Sequence, residues 1–265
     1  MDRNLDSAAF NDGDAWRMAA LSMMGAEELR TIFAGNPASA AAWVIAAANG
    51  GLVEAELRLG RMLLSGEGVP KDERAAFEWF GRAAAQGDSE AHNMLGRCFE
   101  NGWGTAQDFA AAARHYEIAA QAGDTWAQYN LGHLYLDGLG VARDRGAAFA
   151  LYIRAAEQGH VRAMNLAGRC CEQGWGVARD PIMARAWYRK SAEGGYFRGA
   201  YNYASMIAGE GCIAGAAIWF EKALATAPEP SRSTMMKALS QSLHAQLRAV
   251  ALGMIEFAGA GEGLI

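Results

Sequence analysis

The chain of 265 residues has little proline, with five, and little cysteine, with four. So few prolines exclude a collagen-like or proline-rich disordered chain. The cysteines show no Cys-x-x-Cys spacing, and Cys170 and Cys171 are direct neighbours, so neither a disulfide framework nor a thiolate zinc site is readable. Reduced thiols are expected, as in the cytoplasm. Long apolar runs are also missing: the nearest, residues 249–255, falls far short of the roughly 18 residues of a membrane span. Positive charge is not in excess. The formal net charge of -5 opposes a nucleic-acid or anionic-membrane partner that needs a broad basic surface. At the start of the chain, Asp2, Asp6, Asp12 and Asp14 stand against Arg3 with no apolar run behind them, so no secretory or transit peptide is readable.

What is abundant is small: alanine and the 32 glycines together fill about a third of the chain. They recur with a period. Four blocks of 36 residues follow one another without insertion, at residues 53–88, 89–124, 125–160 and 161–196. Position 8 of each block is Gly60, Gly96, Gly132 or Gly168, and position 3 is Ala55, Ala91, Ala127 or Ala163. A Gly-x-Gly follows at positions 14 to 16, an aspartate at position 20 (Asp72, Asp108, Asp144, Asp180) and a closing glycine at position 35. Upstream, residues 36–51 keep the phase as the second half of a worn repeat. Downstream, residues 197–227 form a fifth copy whose loop is four residues shorter.

Each block decodes into two helices. Apolar and small residues at helical spacing fill positions 2 to 13, and the Gly-x-Gly then supplies the positive φ angles that end a helix and turn the chain. The position-20 aspartate is suited to cap a second helix, with Asp180-Pro181 giving a cap followed by proline at the first helical position. That helix carries a mostly aromatic pair, such as Trp79-Phe80 or Trp187-Tyr188, and ends at the closing glycine.

The motif Leu-Gly-x-x-Tyr-x-x-Gly-x-Gly-Val-x-x-Asp, clearest at residues 131–144, with the Ala-x-x-x-Tyr-x-x-Ala-Ala-x-x-Gly after it, resembles the Sel-1-like repeat family, relatives of the tetratricopeptide repeat. The resemblance implies an all-α fold, a right-handed α/α superhelix with first helices lining a concave face. It also implies a bacterial interaction scaffold, an adaptor or regulator that is not an enzyme and binds another protein or an extended peptide in its groove. A β-lactam-binding or hydrolysing enzyme, like the cysteine-rich branch of the family, is the alternative. That branch carries a cysteine pair in each repeat and this chain does not, so its penicillin binding is not carried over.

By analogy with tetratricopeptide repeats, positions 2, 5, 9 and 12 of the first helix face the groove. Position 9 gives Arg61, Arg97, His133 and Arg169; position 5 gives Asn93, Tyr129, Asn165 and Tyr201. Such a ladder of cationic and hydrogen-bonding groups suits an extended peptide with acidic side chains. Alternatively Arg97 and Glu100, like Arg169 and Glu172, merely neutralise each other three residues apart on one helix. Trp103 and Trp175, inside the Gly-x-Gly turns of repeats two and four, either anchor a partner or pack across a neighbouring loop. Catalytic patterns are lacking: no His-x-x-x-His and no serine-lysine nucleophile motif, so no catalytic residue, cofactor or metal is expected.

The ends complete the expected organisation. Residues 1–13 read as a disordered N-terminus and 14–52 as N-terminal capping helices with the partial repeat. Residues 231–257 read as one C-terminal capping helix with an apolar stripe from Met236 to Met254, and 258–265 as a flexible tail. That stripe would either cover the last repeat or make a dimer.

Overall fold

The computed structural model describes Arg17 and residues 37–261, with side chains in the C-terminal helix followed as far as Gly253. The expected N-terminal disorder, capping helices and last tail residues lie outside the described residues, apart from Arg17, which is helical. The rest is helix: α1 Pro37–Asn49, α2 Val53–Ser65, α3 Glu73–Ala85, α4 Ser89–Asn101, α5 Phe109–Gln121, α6 Thr125–Asp137, α7 Arg145–Glu157, α8 Val161–Gln173, α9 Pro181–Glu193, α10 Phe197–Gly209, α11 Ile213–Thr226, α12 Glu229–Ser240 and α13 Ala245–Gly261. No strand occurs among the described residues, and the fold is an all-α solenoid of helical repeats. The helices gather into two compact units. The first runs to Ala127 and takes in Gly138–Ala142; the second comprises Gln128–Asp137 and the chain from Arg143 on.

Capping follows the period. Asp72, Asp108, Asp144 and Asp180 each accept a hydrogen bond at 2.9 Å from the backbone N–H three residues on, fixing the starts of α3, α5, α7 and α9. The same aspartates send their own N–H back across the loop to a first-helix carbonyl: Leu63, Phe99, Tyr135 or Cys171. A second set of caps, at position 36, starts the first helices. Asp88 and Asp124 accept from Ala91 and Ala127 at 2.7 and 2.6 Å, and His160 Nδ1 accepts from Ala163 at 3.1 Å.

Packing within a repeat centres on position 8. A Cβ on Gly96 would lie 2.5 Å from the Tyr116 ring, one on Gly132 2.6 Å from Tyr152, and one on Gly168 2.7 Å from Tyr188; Gly60 faces Phe80 in the same way. All four rings are buried. Between repeats, the second loop glycine makes the close approach. Gly104 (φ 69°) lies on the Glu73 backbone, Gly140 (φ 67°) on Phe109 and Gly176 (φ 73°) on Arg145, so both the left-handed conformation and the lack of Cβ are needed there.

The fifth pair, α10 and α11, substitutes Ala204 for the position-8 glycine and Phe220 for the ring. Beyond it, the single helix expected over 231–257 is instead two, with Gln241–His244 between them. The first starts at Glu229 after Pro228, without a side-chain cap from Ser231 or Ser233. Arg232 instead reaches back to the Leu224 and Ala227 carbonyls at 3.1 and 3.0 Å, satisfying the end of α11. At the break, Arg248 Nη1 donates to the carbonyls of Ser242 and Leu243, and Leu243 is 95% exposed rather than part of a stripe. The turn lets both short helices bury apolar residues, Met235 and Leu239 from one and Leu247, Val250 and Ala251 from the other, in a core shared with α10 and α11. Met254 lies outside the described side chains.

Two stability predictions follow from the ring contacts. Gly132→Ala forces a rigid buried ring aside and should destabilise by about 1–3 kcal/mol, whereas Gly81→Ala, a helical site with nothing within 4 Å of the new Cβ, should stabilise by up to about 1 kcal/mol. Urea unfolding of the two variants should move in opposite directions. The hydroxyls divide the rings as well. Tyr116 and Tyr188 donate to Glu100 and Glu172, while the buried Tyr152 hydroxyl has no hydrogen-bond partner among the described residues. Tyr188→Phe should therefore cost about 1.5 kcal/mol and Tyr152→Phe nothing or less than nothing. Equal losses in the same unfolding assay would contradict this assignment.

Candidate functional site

In the second unit, the exposed faces of α6, α8 and α10 line a polar cleft of about 400 Å³. Tyr129 and His133 come from α6; Arg162, Asn165, Arg169 and Glu172 from α8; Arg198, Tyr201 and Asn202 from α10. Positions 2, 5, 9 and 12 of α8 thus all face the cleft, as the helical analogy requires. Met235 of α12 borders it too.

The first helices hold these groups through the loop bonds. The Glu172 carbonyl accepts from Arg179 Nε at 2.9 Å and its carboxylate from the Tyr188 hydroxyl at 2.8 Å, so this side chain is tied to α9. Arg169 makes no ion pair with Glu172; its guanidinium lies over the Trp175 ring at 5.1 Å. Arg97 does the same over Trp103 at 5.1 Å, while Glu100 is held by Tyr116 and its carbonyl by Gln107 at 2.8 Å. Intrahelical neutralisation is therefore replaced by an arginine-on-tryptophan shelf in repeats two and four. Trp103 and Trp175 are half-buried and pack against the local cores beneath these arginines.

Asn165 is only 4% exposed; its Oδ1 accepts from Asn202 Nδ2 at 2.8 Å, which leaves its own amide N–H₂ at the cleft wall. Asn93, the equivalent residue of α4, is also buried. Tyr201 stacks edge-on against Phe220, and burial raises its phenol pKa. His133 is not the cationic rung that its position suggested. It packs edge-on against Tyr129 and Tyr152, and burial, reinforced by Arg169 and opposed by Asp137, lowers its pKa, so the imidazole is neutral at neutral pH.

The first unit has a cleft of about 350 Å³ lined by Arg61, Lys71, Glu73, Met94, Arg97 and Trp103. Its charges are largely matched. Arg61 pairs with Glu90, and Lys71 with Glu73 at 2.8 Å, so Arg61 is not an open rung.

Sequence reasoning missed Arg162, Arg198 and Asn202. The signal was present: position 2 is glutamate in the first two repeats (Glu54, Glu90) and arginine in the last two (Arg162, Arg198), and only positions 5 and 9 were read as a ladder.

Burial pushes the thiols of Cys98 and Cys170 up to about 12, so they are protonated and unreactive at neutral pH. Among the described residues no three of histidine, cysteine, aspartate and glutamate gather as metal ligands. No described helix is long and apolar enough to cross a membrane.

The Sel1 repeat family model matches residues 53–88, 89–124, 127–160 and 161–196. The chain belongs to the Sel1 repeat family. Sel1 repeat proteins generally serve as protein-interaction scaffolds. Among solved structures, a Sel1 repeat protein from Oxalobacter formigenes is similar at 26% identity and TM-score 0.65, covering 86% of this chain and 85% of that one. A protective antigen of uropathogenic Escherichia coli strains with an SLR fold matches at 24% identity and TM-score 0.68. That match covers 95% of this chain but 53% of the antigen, so the chain spans about half of that relative. Among curated proteins none matches.

One Sel1 repeat departs from its siblings in a way that titrates. His160 stands where Asp88 and Asp124 cap their helices, and it must be neutral to accept from Ala163. Burial, with help from Arg162, pushes its pKa down to about 4. A folded pKa below the unfolded value of about 6.5 means that this stability is fully present above pH 6.5 and is lost as the pH falls toward about 4. His160→Asp should flatten the fall in Tm across that window. Identical acid profiles for the two proteins would remove the imidazole from the cap.

Proposed function

We propose that this chain is an adaptor or regulator that holds a segment of a partner protein against the first-helix face of its second unit. One observation carries the reading: Arg169 and Arg198 line a single cleft, and neither has a carboxylate partner among the described residues. Cationic groups left unmatched by their own chain are ready for a ligand of opposite sign, whereas a purely structural face tends to match them internally. The four thiols, of which Cys98, Cys170 and Cys171 are buried and none is in a disulfide, suit a reducing compartment such as the cytoplasm.

The C-terminal helices fit this proposal as a cover of the last repeat, since their buried apolar residues pack within the chain.

Affinity capture from the native host, read by mass spectrometry, tests the proposal. Wild-type protein should retain a stoichiometric partner, and Arg169→Glu with Arg198→Glu should lose it while Tm stays within a few degrees. Capture that survives both reversals would place the binding surface elsewhere.

A further inference from the structure

The two clefts are built on one register but differ in how the arginine at position 9 is matched. In the first unit, position 9 of α2 meets position 2 of α4: Arg61 and Glu90, 29 residues apart, form an ion pair. In the second unit the same two positions, again 29 apart, are Arg169 on α8 and Arg198 on α10, and both line one cleft. Where the first unit supplies its own carboxylate, the second presents a second guanidinium. Arg162, at position 2 of α8, also lines this cleft. Of the residues lining this cleft, the one carboxylate is Glu172, and it already accepts from the Tyr188 hydroxyl.

The neutral groups point the same way. Asn165 is 96% buried, its Oδ1 is taken by Asn202, and its amide N–H₂ has no partner among the described residues. The Tyr201 hydroxyl likewise has none. Arginines outnumber carboxylates among the residues that line the cleft, and Asn165 and Tyr201 add neutral donors, which favours a ligand that is acceptor-rich and negative.

We infer that the second-unit cleft recognises aspartate or glutamate side chains of an extended partner segment, with the carboxylate taking between Arg169 and Arg198 the place that Glu90 takes against Arg61, and with Asn165 and Tyr201 donating to the same segment. This rests on the reading that the cleft holds a partner segment, and it adds which segment. The first unit, already matched at Arg61, does not share the selectivity. Arginine suits the task because its planar fork binds a carboxylate through two parallel hydrogen bonds, and the Trp175 ring holds the Arg169 fork in place at little entropic cost.

Fluorescence anisotropy of the full chain with a labelled, N-acetylated and C-amidated Glu-Ser repeat peptide tests the inference, with the Gln-Ser peptide as its neutral counterpart. The acidic peptide should bind at least ~10-fold more tightly, corresponding to about 1.4 kcal/mol. Arg169→Gln with Arg198→Gln should erase that ratio. Arg185→Gln, which removes an exposed ion pair with Glu210 outside the cleft, should leave it intact. Three results would overturn the inference: equal binding of both peptides, no binding of either, or a ratio that survives the double substitution. Tighter binding of single-stranded DNA of similar length than of the acidic peptide would overturn it as well, because then the arginines read phosphate. If the peptides fail to discriminate while host-partner capture is still lost on charge reversal, only the acidic specificity falls and the adaptor reading stands.

Discussion

The contact on which the rest of the structure depends is the one between a missing side chain and a ring. With hydrogen alone at position 8, the first helix lets the second lay Phe80, Tyr116, Tyr152 or Tyr188 against its backbone. Protein interiors are packed densely enough that even one added methyl there has to displace the ring. The ring in turn sets where its para position ends. In repeats two and four that is at the position-12 carboxylate, Glu100 or Glu172, of the first helix. A glycine at the bottom of the repeat thereby decides that the arginine three residues earlier than that glutamate has no intrahelical counterion. It turns to tryptophan instead.

This chain of consequences explains which parts of the molecule were legible in the sequence. The glycines, alanines and aspartates act through backbone conformation, helix capping and close approach, and each needs the same residue in every repeat, so the period displays them. Groove-facing positions were legible for the same reason, as a matter of helical phase. Pairings between side chains were not. The partner of Glu100 is 16 residues away at Tyr116, and that of Arg61 is 29 away at Glu90; both depend on how the helices pack, and neither is repeated in every block. The break at Gln241–His244 was hidden too, because Leu239, Leu243 and Leu247 keep helical spacing on paper. What decides against one long helix is the tertiary fit of two shorter ones on α11, with Arg248 taking up carbonyls at the turn.

Exceptions to the period are as informative as the period. Tyr152 keeps the phenol of its neighbours although position 12 of its repeat is Leu136, which leaves a buried hydroxyl without a partner among the described residues, where Phe80 opposite Leu64 has none to satisfy. His160 replaces an aspartate cap and makes the start of α8 sensitive to acid, on the helix that carries Asn165 and Arg169. Such departures are tolerated because each repeat draws its stability chiefly from its own pair and its nearest neighbours, so a local cost stays local.

The same locality separates scaffold from specificity. Position 2 of the first helix takes no part in the glycine–ring contact or in capping, so it is free to change sign without disturbing the pair. Glu90 and Arg198 stand at equivalent places, one step along from Arg61 and Arg169, and the difference between them converts a self-neutralised surface into a donor-rich cleft. One charge at a position indifferent to folding is enough. The repeat fixes where such a side chain stands and at what distance from position 9 of the repeat before it; the sequence at those two positions then sets which ligand charge the surface will accept.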